Sequence, residues 1–305
     1  MIAFQKLKSG DKELYDRLLL TCGHRGCEYS FANLYMWGLQ KAAFLGEDLV
    51  LFSQFNRRSV YPFPVIRSDP KVVLDAILED ARQRGLRCRL TTLTDEDCQL
   101  LETLYPGKFR FHPDREGYDY VYAIEDLAEL KGRKFQKKRN HLNKFWQNHP
   151  NCQSLEITPE LLPAVREMAF SWLDRRTAED ADEDLSMEYV ALRRAFDRYE
   201  ALDFEGMVLQ EDGRILAMTL ATRLSEDTFN VHFEKALEEV DGAYTAINQA
   251  FSRYLRDKYP DLRYLNREDD LGLPGLRKAK LSYNPHHLVE KSWAGLLEDE
   301  DEEDD

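Results

Sequence analysis

The stretch LKGRKFQKKRNHLNKFW, residues 130–146, carries seven Lys or Arg residues in a chain whose formal net charge is −14. After Gly132 it contains no residue that breaks a helix, so it predicts one continuous amphipathic helix. At about 100° per residue, Phe135, Leu142 and Trp146 fall on one apolar stripe, with Phe145 on its margin. We expect this stripe to pack against the core of the domain that follows.

Two basic residues fall on or beside that stripe. Arg139 projects into its middle and Lys138 lies at its edge, whereas Asn140 shares the opposite face. A guanidinium in an apolar stripe either extends along its stem into water or needs an anionic partner. Both alternatives stay open: a solvated basic helix, or a helix that holds Arg139 at a cleft to meet an anion.

Length and composition favour a folded chain with one large domain or two domains. The 305 residues are 43% hydrophobic and 11% aromatic, enough to bury a sizeable core. No apolar run reaches the roughly 18 residues of a membrane-spanning helix. The first residues, MIAFQKLKSGDKEL, lack the apolar core of a signal peptide. We therefore expect a cytoplasmic protein.

The five cysteines are scattered, which is typical of free thiols in a reducing compartment. Cys22 and Cys27 flank His24 with a spacing that resembles half of a zinc site. No second pair of ligands follows, so we predict no metal.

The acidic charge is concentrated at the end of the chain. Residues 298–305 are all Asp or Glu, and without these eight charges the net charge falls from −14 to −6. A block of like charges is typical of a disordered segment, and we predict such a tail over residues 297–305. The rest of the chain is only mildly acidic, so its composition does not exclude a polyanionic partner.

The periodicity of the chain predicts the same order of elements twice. Each half reads as strand, two helices, three strands, helix, strand, helix and strand. The first half closes with a strand over 118–124, and the second closes with a strand over 287–291. We predict an N-terminal domain over 1–125 and a C-terminal domain over 126–296, the latter carrying the candidate site.

Three segments carry a resemblance to a known family. They are GRKFQKKRNHLNKF at 132–145, DGAYTAINQAF at 241–251 and YLNREDDLGLPGLRKAKLSYNP at 264–285. They resemble the bacterial family named for the C-terminal domain of phosphatidylglycerol lysyltransferase, and the doubled element order resembles the GNAT acyltransferase fold. The resemblance implies an α+β fold of two tandem GNAT-like domains, with mixed sheets flanked by helices.

The same resemblance implies an acyl or aminoacyl transferase ancestry. The named member of the family moves lysine from lysyl-tRNA to a lipid headgroup, and the aminoacyl transferases that build peptidoglycan bridges share the architecture. The donor implied here is an aminoacyl-tRNA or an acyl-CoA, bound as a substrate rather than as a resident cofactor.

The helix that begins at Gly242 follows directly after a strand. Free backbone N–H groups at such a helix start attract phosphate, so Gly242 and Tyr244 are candidate anion-binding residues. In GNAT enzymes this turn binds the pyrophosphate of acetyl-CoA. Residues 238–243 contain one glycine, three acids and no arginine, a composition that opposes a diphosphate. An ordinary helix that starts at a glycine is the alternative.

The segment Asn266-Arg267-Glu268-Asp269-Asp270 lies where a strand passes into a loop, a common place for a site. Its carboxylates could bind the ammonium group of an aminoacyl ester or a Mg²⁺ ion. Alternatively, the segment forms a structural ion-pair network with the basic residues of 277–280. Tyr244 and Tyr283 suit stacking or proton relay. His232 could line the same cleft, although a lone histidine in a strand is more often structural.

The predicted site follows from these motifs. Its basic residues would hold the donor's phosphates, and its carboxylates would bind an ammonium group. The predicted catalytic residues are Glu268, Asp270 and Tyr283, and the predicted substrate- or anion-binding residues are Lys138, Arg139, Asn140, Gly242, Tyr244, Asn266, Arg267, Lys278 and Lys280.

Two functions fit this site. The first is transfer of an acyl or aminoacyl group to an amine or hydroxyl of a small-molecule or peptide acceptor, by direct attack in a ternary complex. The second is a non-catalytic module of the same fold that binds a nucleotide, RNA, in particular tRNA, or another polyanion. The sequence predicts no particular oligomeric state.

Overall fold

Two seven-stranded sheets organise the chain in the computed structural model, which describes residues 1–55, 58–179 and 183–297. Each sheet belongs to one compact unit. The first unit comprises residues 1–119, 269–273 and 289 onward, and the second comprises residues 120–268 and 274–288. The acidic tail predicted for 297–305 lies, except for Leu297, outside the described residues. No helix in the described ranges is both long and apolar enough to cross a membrane.

The elements are numbered along the chain. The strands are β1 Gln5–Lys6, β2 Gln40–Leu45, β3 Asp48–Phe55, β4 Arg58–Pro62, β5 Arg89–Leu93, β6 Phe109–Pro113, β7 Asp119–Ala123, β8 Gln153–Glu156, β9 Glu205–Glu211, β10 Arg214–Ser225, β11 Thr228–Ala236, β12 Tyr264–Asn266, β13 His287–Val289 and β14 Ser292–Leu296. The α-helices are α1 Lys12–Leu19, α2 Phe31–Trp37, α3 Pro70–Arg84, α4 Asp95–Leu104, α5 Ile124–Glu129, α6 Gln136–Asn148, α7 Leu162–Glu179, α8 Glu183–Asp197, α9 Ala243–Lys258 and α10 Pro274–Leu281.

The first unit contains the sheet with strand order β1-β2-β3-β4-β5-β14-β6. Strands β2, β3 and β4 form the predicted antiparallel meander, and β4 then runs parallel to β5. Helix α3 packs Val73 and Ile77 into the core of this sheet. It begins where Asp69 accepts a hydrogen bond from the backbone N–H of Lys71, a local signal that the sequence predicts.

The second unit contains the sheet with strand order β13-β7-β12-β11-β10-β9-β8. Strands β9, β10 and β11 form the second antiparallel meander, and β11 runs parallel to β12. Helix α9 buries Asn248 and Ser252 together with its apolar residues. The order of helices and strands predicted for this half is therefore observed.

The two strands predicted to close the halves have different outcomes. The strand predicted over 118–124 for the first half forms as β7, but it pairs with β12 in the second sheet. The strand predicted over 287–291 forms as β13 and belongs to the second sheet, as expected. The strand β14, which was not predicted, lies between β5 and β6 in the first sheet. Alternating apolar residues predict that a strand forms, but they do not select its neighbour, which depends on exposed edges brought close only in the folded chain.

The pairing between β11 and β12 is short. Among the described residues it covers only 228–230 and 264–266, so β11 continues beyond Asn230 without β12 beside it. On its other edge, β11 pairs with β10 with a shift in register: Leu220 pairs with Phe233, but Ala221 pairs with Val231. His232 is the extra residue, and the shift is a β-bulge of the kind that is common beside active sites.

The first unit holds a buried ion cluster beside β14. The Nζ atom of Lys291 lies 2.6 Å from Oδ1 of Asp119 and 2.8 Å from Oε1 of Glu28. Burial alone would lower the pKa of Lys291, but the two carboxylates raise that pKa well above its usual value. Asp119 also accepts a hydrogen bond from the backbone N–H of Cys27. Cys27, Glu28 and Asp119 have side chains of the types that bind metal ions, and the Lys291 ammonium supplies positive charge beside them. The thiol of Cys22 lies apart from this group and contacts the carbonyl oxygen of His24.

Replacing Lys291 with methionine should lower the free energy of unfolding by about 3–5 kcal/mol, because the buried Asp119 carboxylate and the partly buried Glu28 carboxylate would lose their cation. Urea denaturation at pH 7 measures this change. The exposed Lys8 provides the matched control, and Lys8→Met should change stability by less than about 0.5 kcal/mol. Equal losses in the two variants would show that the buried cluster does not stabilise the unit.

Candidate functional site

Helix α6 turns Lys138, rather than Arg139, toward the interior. Phe135 and Phe145 are fully buried, and the Nζ atom of Lys138 lies 3.5 Å from the ring centroid of Tyr283. Phe145, predicted at the stripe's margin, is thus part of its centre. Phe135 and Leu142 are buried as predicted. Residues 133–135 form a 3₁₀ turn before the α-helix, so extending a 100° spacing back through them places Arg139 instead of Lys138 on the inward face.

Arg139 stabilises the turn that precedes its own helix. Its Nη1 atom donates hydrogen bonds to the carbonyl oxygens of Leu130 and Gly132, and its Nη2 atom donates to Oε1 of Gln136 at 2.6 Å. Asn140 is exposed and accepts a hydrogen bond from the Gln136 side chain. The contacts of the Arg139 guanidinium are therefore with backbone and amide oxygens, not with the charged residues around Arg267.

Arg267, just after β12, is the centre of a buried polar cluster. Its Nη2 atom donates to Oε1 of Glu234 at 2.9 Å, and its guanidinium carbon lies 4.9 Å from the ring centroid of Tyr283. The other oxygen of Glu234 accepts a hydrogen bond from Nδ2 of Asn248 on α9. We call Lys138, Glu234, Asn248, Arg267 and Tyr283 the Arg267 cluster.

The Arg267 cluster contains more positive than negative charge. Arg267 and Lys138 both lie over the Tyr283 ring, but Glu234 is the single carboxylate among the five residues. Burial and, to a smaller extent, the charge of Arg267 lower the pKa of Lys138 to about 8, with Glu234 opposing the shift. The Nη1 atom of Arg267 and the Oδ1 atom of Asn248 are buried without hydrogen-bond partners among the described residues. Buried polar groups are normally paired, so these atoms suit a bound ligand.

Glu268 belongs to a second cluster. Its Oε1 atom accepts a hydrogen bond from Nδ2 of Asn230 at 2.9 Å and lies 3.1 Å from Nδ1 of His232. The Nε2 atom of His232 lies 2.8 Å from Oγ1 of Thr222. The Glu268 backbone is left-handed, with φ of +57°, and its N–H donates to Oδ1 of Asn266. We call Thr222, Asn230, His232 and Glu268 the Glu268 cluster.

The two clusters lie on opposite faces of the second sheet. Thr219 and Thr222 are three positions apart on β10, so their side chains point to opposite faces. Thr219 pairs with Glu234, and Thr222 pairs with Asn230. Paired residues share a face, which places Glu234 on the face of α9 and Asn230 on the other. Both clusters reach the point where β11 and β12 stop pairing.

Lys280 and Asn266 support the segment that carries both clusters. The buried ammonium of Lys280 donates hydrogen bonds to the carbonyl oxygens of Arg267 and Glu268, at 2.6 and 3.1 Å. The hydroxyl of Tyr122 donates to the Lys280 carbonyl. Lys280 thus holds the site segment through its backbone, whereas Lys278 is exposed on the outer side of α10.

Gly242 and Tyr244 occupy the first turn of α9. A side chain at Gly242, whose φ is +85°, would place its Cβ 2.7 Å from the carbonyl oxygen of His141 on α6. Helix α6 therefore covers one side of this turn, and anion binding by its backbone stays a prediction. Tyr244 is 40% exposed, and partial burial is the main cause that raises its pKa to about 12.

Asp270 belongs to the first unit. It is fully buried, and its Oδ1 atom accepts a hydrogen bond from the backbone N–H of Gly272. Its Oδ2 atom lies 3.4 Å from Nη1 of Arg115. These contacts hold the loop after β12, so Asp270 has local structural partners.

Several members of the two clusters are not among the residues predicted from the sequence. Asn230 and Glu234 stand in the strand TFNVHFEKA, and Asn248 stands on the buried face of α9. His232, in the same strand, was named as a residue that could line the cleft but was not among the predicted site residues. Polar residues inside an otherwise apolar strand or helix face are the signal that could have identified them, because such groups need partners when buried.

The first unit contains a large cavity of about 700 Å³ between β2, α1 and α3. Asp80, one of the acids in its lining, accepts hydrogen bonds from the backbone of Ile2 and the hydroxyl of Tyr61 and pairs with Arg84. The Asp80 carboxylate already has structural partners, so this cavity is a weaker candidate for a functional site than the two clusters.

Solved structures of known proteins share this fold. A conserved protein of unknown function from Bacteroides thetaiotaomicron is 35% identical, with a TM-score of 0.91 over 97% of this chain and 100% of that one. L-PGS from Bacillus licheniformis is 16% identical, with a TM-score of 0.67 over 96% and 93% of the two chains. FemX is 12% identical, with a TM-score of 0.60 over 99% of each. The chain has a tandem GNAT-like fold with mixed sheets and flanking helices, which confirms the predicted fold class.

The sequence profile of the phosphatidylglycerol lysyltransferase C-terminal family matches residues 21–295. The chain therefore belongs to this transferase family, and the predicted resemblance is confirmed. An uncharacterized protein of Mycoplasmoides gallisepticum is 25% identical over 175 residues, which are 57% of this chain. The match spans about half of that relative's length, 54%.

Replacing Gly242 with alanine tests how closely α6 covers the start of α9. The substitution should cost about 1 kcal/mol for the left-handed backbone and about 1–3 kcal/mol more for the collision with His141. Gly213→Ala is the matched control, because Gly213 has a similar φ of +82° but open space around its Cβ position. Urea denaturation compares the two losses, and equal losses would contradict the close packing of α6 on this turn.

Proposed function

We propose that this protein transfers an aminoacyl group from an aminoacyl-tRNA to an amine or hydroxyl acceptor at the end of the β11–β12 pairing. The observation that carries the proposal is the arrangement of two polar clusters on opposite faces of one sheet, where its strands separate. Family membership supports the reaction class, since the family is named for a lysyltransferase. FemX and L-PGS share the fold, and neither specifies the substrates of this chain.

The end of the β11–β12 pairing suits a donor that reaches both faces of the sheet. An acyl donor needs its carrier held on one side and its carbonyl carbon presented to the acceptor. Beyond Asn230, β11 has no described pairing with β12, and the bulge at His232 interrupts its regular pairing with β10. Backbone N–H groups in such a place can donate to the oxyanion that develops as the carbonyl is attacked.

Glu268 is the proposed proton acceptor. The acceptor's nitrogen or oxygen attacks the ester carbonyl carbon and loses a proton to the Glu268 carboxylate. The ester C–O bond then breaks, and the ribose hydroxyl of the tRNA leaves with a proton. His232 and Asn230 position Glu268 through the two contacts to its Oε1 atom. A carboxylate held in this way can alternatively bind the α-ammonium group of the aminoacyl ester.

The Arg267 cluster is proposed to hold the donor on the other face. Among the basic residues predicted to contact donor phosphates, Arg139 and Lys280 donate to backbone oxygens, and Lys278 is exposed. Lys138 retains an ammonium inside the cluster, and Arg267 adds a guanidinium. Acyl-CoA is the competing donor, although the acids of 238–241 beside α9 disfavour its diphosphate.

Transfer can be tested with tRNA charged with radiolabelled amino acids and a pool of amine and hydroxyl acceptors. Glu268→Gln should lower kcat/KM for transfer about 100-fold or more, because the amide cannot accept the proton. Thin-layer chromatography of the labelled product measures the rate. An acyl-CoA arm, followed by thiol release, distinguishes the two donor classes.

Glu200→Gln provides the matched control, since Glu200 is an exposed acid elsewhere in the second unit. The Glu200→Gln variant should transfer the aminoacyl group at the rate of the unmodified protein. Unchanged transfer in Glu268→Gln would contradict the role of Glu268. Binding of tRNA without any turnover of an aminoacyl group would favour the non-catalytic module instead.

A further inference from the structure

The Arg267 cluster has more hydrogen-bond donors than its own residues can satisfy. Both oxygens of Glu234 are engaged, one by Arg267 and the other by Asn248. The Nη1 atom of Arg267 is buried without an acceptor in the part of the chain that the structure describes, and the Lys138 ammonium faces an aromatic ring. A desolvated cation needs a counter-charge, and no second carboxylate in the cluster supplies one.

The groups that face Lys138 come from each surrounding element. Arg267 follows β12, Glu234 stands on β11 and Tyr283 follows α10; Arg267 and Glu234 are the two charges that act on the pKa of Lys138. Burial raises the pKa of Tyr283, so this phenol stays neutral at physiological pH. Helix α9 contributes Thr245 and Asn248, which do not titrate. The net charge of the cluster is therefore set by Lys138.

We propose that Lys138 and Arg267 form a subsite for one phosphodiester monoanion, and that binding of this anion is coupled to the protonation of Lys138. This inference rests on the proposed function in one respect, because it takes the phosphodiester to be part of the aminoacyl-tRNA donor. A single negative charge matches the excess of two cations over one carboxylate. The anion would accept hydrogen bonds from the Arg267 Nη1 atom and from the Lys138 ammonium.

The exposed part of α6 favours the backbone of a nucleic acid as the source of this phosphodiester. Arg133 and Lys137 are exposed one turn apart beside Lys138, so positive charge continues outward from the subsite. A strand of RNA presents successive phosphates to such a row, whereas the headgroup of a lipid presents one. The end of a charged tRNA carries the required group next to its aminoacyl ester.

The coupling follows from the electrostatics of the free cluster. Burial and Arg267 lower the pKa of Lys138 to about 8, and a bound anion would raise it again. Below that pKa, Lys138 is charged with or without ligand, and affinity is independent of its titration. Above it, binding must take up a proton, so affinity falls with rising pH until the pKa of the bound state is passed.

The experiment measures binding without transfer, so that its failure is separate from failure of the proposed reaction. The probe is the dinucleotide cytidylyl-(3′→5′)-adenosine, whose phosphodiester charge does not change between pH 7 and pH 10. Isothermal titration across this range, at constant ionic strength, should show affinity falling about tenfold per pH unit above pH 8. Repeating the titration in two buffers with different ionisation enthalpies should show the uptake of up to one proton for each dinucleotide bound.

Three variants make the test specific. Lys138→Arg keeps the charge at every pH used, so it should bind with little pH dependence. Lys138→Met should bind about tenfold more weakly at pH 7, also without the fall above pH 8. Lys137→Met removes the same charge from an exposed position one residue away. The affinity of this variant for the dinucleotide should still fall above pH 8.

Specific outcomes would overturn the proposal. An unchanged pH dependence in both Lys138 variants would remove Lys138 from the subsite, and no binding of the dinucleotide by the unmodified protein would remove the subsite altogether. Glycerophosphoglycerol, the soluble headgroup of phosphatidylglycerol, is the second probe. If it binds with the Lys138-dependent profile and the dinucleotide does not, the assignment to a nucleic acid is wrong.

Discussion

The early end of the pairing between β11 and β12 is the constraint on which the candidate site depends. Parallel strands that stay paired satisfy each other's backbone groups and leave no room for a ligand. Here the pairing stops at Asn230 and Asn266, and the residues that follow Asn266 are strongly polar. Arg267 pairs with Glu234 on one face, and Glu268 meets His232 on the other. The charged side chains occupy the place where sheet hydrogen bonds would otherwise continue.

The polar contacts also explain how a charged segment persists in a buried place. Lys280 binds the carbonyl oxygens of Arg267 and Glu268, and Asn266 accepts the N–H of Glu268. The Arg267 carbonyl and the Glu268 N–H are thereby paired with side chains, and the backbone of Tyr120 on β7 pairs with the Arg267 N–H and the Glu268 carbonyl. This arrangement separates two tasks: Lys280 and Asn266 fix the backbone, which leaves Arg267 and Glu268 to present their charged ends.

The sequence was sufficient to predict the types and order of most elements, because the periodicity of apolar residues is local; α5 and β14 were not predicted. It also identified Lys138, Arg267 and Glu268 as candidate residues. It could not predict that β7 joins the second sheet or that a strand inserts between β5 and β6, since strand partners depend on distant parts of the chain. The placement of Arg139 in the apolar stripe of α6 was wrong for a local reason. A 3₁₀ turn at 133–135 ends the α-helical periodicity, so the neighbouring residue, Lys138, faces the interior.

The position of β14 has a consequence for folding during synthesis. Strand β14 lies between β5 and β6, so the first sheet cannot join β6 to its remaining strands until residues 292–296 have left the ribosome. At about 5–20 residues per second, the nearly 180 residues between β6 and β14 take roughly ten seconds or more to synthesise. During that interval β5 and β6 present unpaired edges, which are the sites where nascent chains aggregate or recruit chaperones. The first unit is therefore the last to be completed, although it contains the beginning of the chain.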